Sequence, residues 1–127
     1  MNQEVIIGID LGATNIRGGL VAGKRITATQ ARAIRSKGTV EEVLQDIFSI
    51  VDLLINKSVA AIGIGVPSVV DVANGIVYDV QYIPSWKEVH LKEIMQKRYA
   101  VPVFVNNDAN CFALGEFYFG KGIGTDH

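Results

Sequence analysis

Asn107 and Asp108 are the side chains whose types and position best suit chemistry. They follow an apolar run at residues 103–105 and precede residues 109–119, whose apolar positions have helical spacing. Ligand sites of α/β sheets usually lie at such strand-to-helix junctions. A carboxylate there can accept a proton from a hydroxyl group, and an amide can hydrogen-bond the same substrate. The residues alone leave a second interpretation open, in which Asp108 only caps the N-terminus of the helix.

The polar loop after the first apolar run is a second candidate site. Its sequence, DLGATN, contains Asp10, Gly12 and Thr14. Glycine lets backbone N–H groups approach an anion and a threonine hydroxyl adds a donor, so the loop could hold a phosphate. Asp10 would act through a hydrated Mg²⁺, because its direct contact with phosphate is repulsive. The alternative is an Asx-type turn, in which Gly12 serves only the backbone geometry. The GxxxxGK pattern of a Walker loop is absent.

A set of strands and helices must position these groups. The apolar runs that predict strands are residues 5–9, 16–21, 25–34, 59–66 and 103–105. Short loops between the first three runs predict antiparallel neighbours. Thr39 and Glu42 predict a capping box that opens a helix, and residues 91–99 predict a second helix. Asn74-Gly75 predicts a hairpin with a two-residue turn.

The order of these elements predicts an α/β fold with a mixed five-stranded sheet. The order is β-β-β-α-β-α-β-α plus a small hairpin, in one domain at residues 1–120, and residues 121–127 would begin a connection to a second lobe. Three of the strands lead to Asp10, to Ser68 and to the Asn107-Asp108 pair. If those strands are parallel neighbours, their carboxyl ends share one edge and the three loops converge on a crevice.

Composition excludes several classes of protein. The 127 residues are 49% hydrophobic and 20% charged, with a net charge of -1 and no basic run, so neither nucleic acid nor a membrane surface is an expected partner. A single cysteine, Cys111, provides neither a disulfide framework nor a cysteine-based zinc cluster. The start of the chain lacks the features of a signal peptide, and no run is long enough for a membrane span. We therefore expect a cytoplasmic protein.

Three segments together resemble the N-terminal half of the ROK family, which comprises bacterial sugar kinases and related repressors. The segments are GIDLGATNIRGGLV, GIGVPSVVD and VNNDANCFALGE, in this order and spacing. The resemblance covers nearly the whole chain and implies a lobe of the actin-like, ribonuclease-H-like ATPase fold. It implies that Asp10, Gly12 and Thr14 form the first phosphate loop of an ATP site, with Mg²⁺ held through Asp10 and no other metal in this lobe.

The same resemblance implies a sugar site. Asp108 would be the general base that takes a proton from a sugar hydroxyl, and Asn107 would hydrogen-bond a neighbouring hydroxyl. Ser68, with the backbone around Val69, would line the sugar pocket, and Gln81 is a weaker candidate for the same wall. Where this chain has Ser68 the family usually has glycine, which would narrow the pocket or change the preferred sugar.

The resemblance also implies what a second lobe would add. The family's zinc-binding cysteine cluster, second phosphate loop and adenosine site, and the His and Glu that grip the sugar, belong to that lobe. We therefore expect half of an ATP-dependent hexose kinase, nearly inactive as a fragment, for glucose first and then fructose or an N-acetylated amino sugar. We also allow for a homodimer.

Two other functions remain alternatives. The first is the sugar-sensing lobe of a ROK-type repressor. Such repressors carry a helix-turn-helix ahead of this lobe, whereas the first loop here begins within ten residues of Met1. The second is a non-enzymatic actin-like assembly module, which would not need a carboxylate after the fifth strand.

Overall fold

The computed structural model describes residues 4–23 and 25–107. The elements are, in chain order, β1 (Val5–Leu11), β2 (Asn15–Ala22), β3 (Arg25–Ala33), α1 (Val40–Leu54), β4 (Val59–Gly65), β5 (Val69–Asp71), β6 (Ile76–Tyr78), β7 (Glu88–Val89), α2 (Leu91–Tyr99) and β8 (Val103–Asn106). Asp108, Cys111 and the third helix predicted at residues 109–119 lie outside the described residues. In the described ranges, no helix has the length and apolar character needed to cross a membrane.

The large sheet has the predicted mixed, five-stranded architecture. Its strand order is β3-β2-β1-β4-β8. β1 pairs antiparallel with β2, and β2 pairs antiparallel with β3, as their short connections predict. β4 lies parallel to β1, and β8 lies parallel to β4. The three strands that lead to the candidate residues are therefore adjacent and run in the same direction.

One face of this sheet packs against α1. Alternate residues of β1, namely Ile7, Ile9 and Leu11, are fully buried in the main core. Gly18 of β2 permits close packing of the helix, since a Cβ atom there would lie 2.7 Å from the Ile50 side chain. The opposite face of the sheet therefore carries the intervening residues of β1, among them Asp10.

The predicted capping box begins α1. The Thr39 hydroxyl accepts a hydrogen bond from the Glu42 backbone N–H at 3.1 Å, and the Glu42 carboxylate accepts one from the Thr39 N–H at 3.0 Å. The two bonds satisfy donors that a helix N-terminus otherwise leaves unpaired. This prediction is confirmed.

A buried carboxylate fixes the connection from β3 to α1. Asp46 is 1% exposed and accepts hydrogen bonds from the Arg35 backbone N–H at 2.8 Å and from the Arg35 Nη2 at 3.0 Å. Burial by itself raises the pKa of the Asp46 carboxyl, but the hydrogen bonds and charge of Arg35 outweigh it and the pKa lies below its ordinary value. Asp46 is therefore held as an anion.

Side chains from α1 and α2 join the two helices. The Tyr99 hydroxyl donates to the Asp52 carboxylate at 2.6 Å, and Arg98 donates to the same carboxylate at 2.8 Å. Burial, followed by the hydrogen bond to Asp52, raises the pKa of Tyr99. At the end of α2, the Gln96 side-chain oxygen accepts from the Val103 N–H at 3.1 Å, which ties the helix to the first residue of β8.

The small sheet differs from the predicted hairpin. Asp71 pairs with Ile76, so the connection contains four residues instead of two. The Asp71 carboxylate accepts from the Asn74 backbone N–H and side-chain amide at 3.2 and 2.9 Å, and Gly75 alone of the Asn-Gly pair has a positive φ, 66°. The prediction of a two-residue turn is therefore wrong, because the Asp71 carboxylate accepts hydrogen bonds that stabilise a longer loop. β7 also pairs with β6, although the sequence analysis predicts no strand at residues 88–89.

Candidate active site

The carboxyl ends of β1, β4 and β8 meet at one edge of the large sheet. Asp10 is the register partner of Gly65, and Gly65 is the register partner of Asn106. Since neighbouring strands lie about 4.8 Å apart, the Cα atoms of Asp10 and Asn106 are separated by roughly 10 Å across the intervening glycine. The chain after β4 and Asn107 after β8 therefore lie at the same edge of the sheet as Asp10.

Asp10 lies inside β1, and the prediction that it opens the loop is wrong. The ladder to β2 continues through Leu11, which pairs with Ile16. Because Leu11 faces the core, Asp10 lies on the opposite face, where it is half-buried and directly across from Arg17. Asp10 and Arg17 each take part in an interaction, so neither is a free charge. The sequence alone left open whether Arg17 contacts a phosphate or is a surface arginine of a strand, and the register of β1 and β2 places it opposite Asp10.

The Asp10 carboxylate fits the way that proteins hold Mg²⁺. This cation takes one or two carboxylates and fills its remaining positions with water and substrate phosphate oxygens. Within residues 4–23 and 25–107, no group of three or more His, Cys, Asp or Glu side chains could hold a metal ion.

The loop between β1 and β2 uses one of its donors internally. The Gly12 N–H donates to the Asn15 carbonyl at 2.9 Å, and a Cβ atom on Gly12 would lie 2.9 Å from that same oxygen. Glycine is thus required for the turn itself. The Thr14 hydroxyl accepts from the Asn15 side-chain amide at 3.2 Å, which leaves its proton to donate to a ligand. The structure favours a geometric role for Gly12, and the exposed Thr14 hydroxyl keeps a proton that it can donate.

The loop after β4 is fastened to both sheets. The Val66 N–H donates to the Asn106 carbonyl at 2.9 Å, which joins the loop to the end of β8. The Ser68 N–H donates to the Val66 carbonyl at 2.8 Å, and the Ser68 hydroxyl donates to the Tyr78 carbonyl. Because its proton is engaged, Ser68 can offer a ligand only the lone pairs of its oxygen. Its visible role is to hold the loop against β6.

The remaining predicted residues differ in how closely they approach this edge. Asn107 is exposed and immediately follows β8, so its amide lies at the shared edge. Asp108 falls outside the described residues. Gln81 is exposed in a turn after β6, where the segment is closed by hydrogen bonds from Asp79 and Val80 to the chain before β7. Those bonds connect Gln81 to the small sheet instead of the edge of the large one.

The sequence of this chain is similar to those of known sugar kinases and repressors. The model described as "ROK family" matches residues 6–127. The chain belongs to the ROK family. A glucokinase of Thermotoga maritima is 36% identical over 129 residues, which are 100% of this chain and 41% of that protein. A putative xylose repressor of Caldicellulosiruptor is 33% identical over 139 residues, which are 99% of this chain and 33% of that protein.

Solved ROK structures share the fold of this lobe. The crystal structure of a Streptomyces griseus ROK glucokinase in complex with glucose and AMPPNP matches with a TM-score of 0.75 and 35% identity. The match covers 96% of this chain and 39% of that one. The lobe is therefore of the ribonuclease-H-like, actin-like type that the sequence resemblance implies. The chain spans less than half the length of the ROK relatives named here.

Proposed function

We propose that this chain is the N-terminal half of an ATP-dependent hexose kinase. The whole enzyme would transfer the γ-phosphoryl group of ATP to a hydroxyl of glucose or a similar hexose, the 6-hydroxyl being our first choice. The observation that carries the proposal is the parallel arrangement of β1, β4 and β8, which brings Asp10, the Ser68 loop and Asn107 to one sheet edge. The glucokinase relatives support the same reaction.

The phosphate side of the proposed site consists of Asp10, Gly12 and Thr14. Asp10 would hold Mg²⁺ through its carboxylate, and the cation, when bound, neutralises charge on the phosphates of ATP. Thr14 would donate its hydroxyl proton to a phosphate oxygen. Gly12 would contribute the tight turn of the loop but no hydrogen bond to the phosphate, because its own N–H donates to the Asn15 carbonyl. Phosphoryl transfer requires positioning more than covalent help, and these groups supply positioning.

The sugar side of the proposed site consists of Asn107, Asp108, Ser68 and Gln81. Asp108 would align a sugar hydroxyl and accept its proton as the hydroxyl attacks. Asn107 would hydrogen-bond a neighbouring hydroxyl, since an amide both donates and accepts. Ser68 would shape the wall by holding its loop in place, and Gln81 is the weakest member of the set. Capping of a helix by Asp108 is compatible with this role.

The test uses a two-lobe protein, in which this chain replaces the matching segment of the Thermotoga maritima glucokinase. A coupled assay against a panel of hexoses would measure ATP-dependent phosphorylation and identify the sugar. Asp108→Asn should lower kcat by about 10²–10⁴-fold and leave sugar affinity within about tenfold, because the amide still hydrogen-bonds but cannot take the proton. The unmodified glucokinase and its own matching carboxylate variant are the controls. If Asp108→Asn keeps most of the activity of an active chimera, the assigned base is wrong.

The repressor relative supports a second candidate, a sugar-sensing lobe that binds the ligand without phosphorylating it. The matching repressor is 33% identical over 99% of this chain, close to the value for the glucokinase. In a sensor, sugar should change the unfolding temperature of the two-lobe protein while no phosphorylated sugar accumulates with Mg·ATP. Phosphorylated sugar in the wild-type chimera and its loss in Asp108→Asn would decide for the kinase.

A further inference from the structure

The connection between β5 and β6 contains a dipeptide that can modify itself, Asn74-Gly75. The Gly75 nitrogen can attack the side-chain carbonyl carbon of Asn74, because glycine has no side chain to hinder the approach. A new C–N bond closes a succinimide ring, the bond from that carbon to Nδ2 breaks, and the side-chain nitrogen leaves as ammonia with the Gly75 proton. One water molecule then opens the ring and leaves aspartate or isoaspartate at position 74.

The fold requires glycine at position 75, so the reactive pair cannot be avoided there. Gly75 has a φ of 66°, in the left-handed region that favours glycine. A Cβ atom on Gly75 would lie 2.1 Å from the Cβ atom of Lys92 in the first turn of α2. The Lys92 N–H also donates to the Gly75 carbonyl at 3.1 Å, which fixes the loop against the helix.

Asp71 holds both reacting groups of the pair. The Gly75 N–H, which is the attacking group, donates to the Asp71 carbonyl at 2.7 Å. The Asn74 side-chain amide donates to the Asp71 carboxylate at 2.9 Å, and the Asn74 backbone N–H donates to the same carboxylate at 3.2 Å. These bonds from Asn74 lower the pKa of the Asp71 carboxyl from its ordinary value, so it remains a charged acceptor near neutral pH.

These hydrogen bonds oppose each step of ring closure. The Gly75 nitrogen must lose its proton to attack, and the Asp71 carbonyl holds that proton in place. Nδ2 of Asn74 must then leave, and the Asp71 carboxylate holds it as well. Ring closure therefore requires a local opening of the loop that breaks both bonds. β5 and β6 have 3 residues each, so few backbone hydrogen bonds oppose such an opening.

The surroundings of Asn74 supply water and make the modification consequential. Asn74 is exposed and borders an open groove of ≈ 440 Å³, whose other lining residues are Ala73, Lys92, Glu93, Gln96 and Lys97. Water can therefore reach a ring formed at this position. The product has a carboxylate where the structure has a neutral amide 2.9 Å from the Asp71 carboxylate. Two carboxylates at this distance repel each other, so the modified loop loses the bonds that close it.

We propose that Asn74 is a site of spontaneous deamidation and that Asp71 sets its rate by holding both reacting groups. The site stays intact while the loop is closed and is modified when the loop opens. This inference concerns the chain by itself and is independent of the proposed kinase function.

Peptide mapping by mass spectrometry of the full chain, incubated in mildly alkaline buffer, measures the rate at Asn74. The folded chain should deamidate on the order of 100-fold more slowly than the chain unfolded in guanidinium chloride, because both hydrogen bonds must break first. Aspartate and isoaspartate should both appear, and water enriched in the heavy isotope of oxygen should label them. Asn56 is the internal control, since the side chain of Lys57 hinders the equivalent attack.

Substitution of Asp71 tests its part in the reaction. Asp71→Ala should raise the folded rate at Asn74 about tenfold, because the carboxylate is lost while the backbone carbonyl at position 71 remains. Asp71→Asn keeps a neutral acceptor oxygen and should raise the rate by about threefold. This second variant retains the test if Asp71→Ala fails to fold, which circular dichroism would show.

Asp46→Asn is the matched control for stability. It weakens the fold at α1 without touching the loop, so the rate at Asn74 should stay within about twofold of wild type if the opening is local. Equal rates in folded and unfolded wild type would overturn the proposal. So would folded Asp71 variants that deamidate no faster than wild type, or an Asp46→Asn chain that deamidates as fast as they do.

Discussion

Replacement of Gly12 by alanine is the most direct test of the loop geometry at the candidate phosphate site. The added methyl group would lie 2.9 Å from the Asn15 carbonyl oxygen, closer than such atoms normally approach. That oxygen cannot move away freely, because it accepts the Gly12 N–H at 2.9 Å and Asn15 is paired with Ala33 in the sheet. Relief of the contact therefore requires the loss or distortion of a hydrogen bond.

The expected cost is the difference between two opposing effects. Crowding and the weakened hydrogen bond should cost about 2 kcal/mol. Alanine lowers the conformational entropy of the unfolded chain relative to glycine, which stabilises the folded state by about 0.5 kcal/mol. The free energy of unfolding of Gly12→Ala should therefore fall by about 1.5 kcal/mol, and Tm should fall by roughly 5 °C.

Urea denaturation followed by tryptophan fluorescence measures this difference. Trp86 is the single tryptophan and is fully buried, so its emission reports unfolding of the core. Thr14→Ala is the matched control in the same loop, because Thr14 is exposed and its removal should change stability by less than about 0.5 kcal/mol. In the two-lobe protein, Thr14→Ala should instead weaken the binding of Mg·ATP. A Gly12→Ala chain as stable as wild type would show that Gly12 is not required by the turn.

Two further substitutions test other contacts. Asp46→Asn should lower the free energy of unfolding by about 1.5 kcal/mol near neutral pH, because the hydrogen bonds from Arg35 lose their charged acceptor while the Arg35 side chain stays half exposed to water. The pKa of Asp46 in the folded protein lies below its ordinary value, so the Asp46 anion stabilises the fold above about pH 4. This contribution is lost as the pH falls further. The difference in unfolding free energy between wild type and Asp46→Asn, measured from denaturation curves, should therefore shrink in acid. Ser68→Ala should lower the unfolding free energy by about 1 kcal/mol, because the Tyr78 carbonyl loses its hydrogen bond; equal urea midpoints for wild type and Ser68→Ala would contradict this.

Much of the fold could be predicted because its signals are local. The capping box of α1 needs only Thr39 and Glu42 at the right spacing, and the structure forms both of its hydrogen bonds. The extent of α2 follows from apolar spacing and a proline beyond its end. β7 could not be predicted, since a two-residue strand has no periodicity and forms only because β6 lies beside it. The hairpin loop was misjudged because the Asp71 carboxylate competes with the Asn-Gly turn for the backbone.

The residues of the candidate site could be predicted from the sequence more readily than the hydrogen bonds that these residues form. Asp10, Ser68 and Asn107 each follow an apolar run, which is visible in the sequence, and their proximity depends on parallel pairing, which is not. The engagement of the Ser68 hydroxyl was also hidden, because its acceptor, Tyr78, lies ten residues further along in the small sheet. Sequence spacing identifies a donor but does not reveal whether the fold has already used it.

These internal hydrogen bonds limit what the described part of the lobe can offer a ligand. The donors of Gly12 and Ser68 are directed into the protein, which leaves the Thr14 hydroxyl and the Asn107 amide as exposed polar groups along the edge. Together with the Asp10 carboxylate, they suit a cation-bridged phosphate and a hydroxyl-rich ligand. Both a kinase and a sugar sensor need the part of such a site that binds hydroxyl groups, whereas only a kinase also needs the part that binds phosphate. In the proposed kinase the sugar hydroxyl would also lose its proton as it attacks, and Asp108 is the residue proposed to accept that proton.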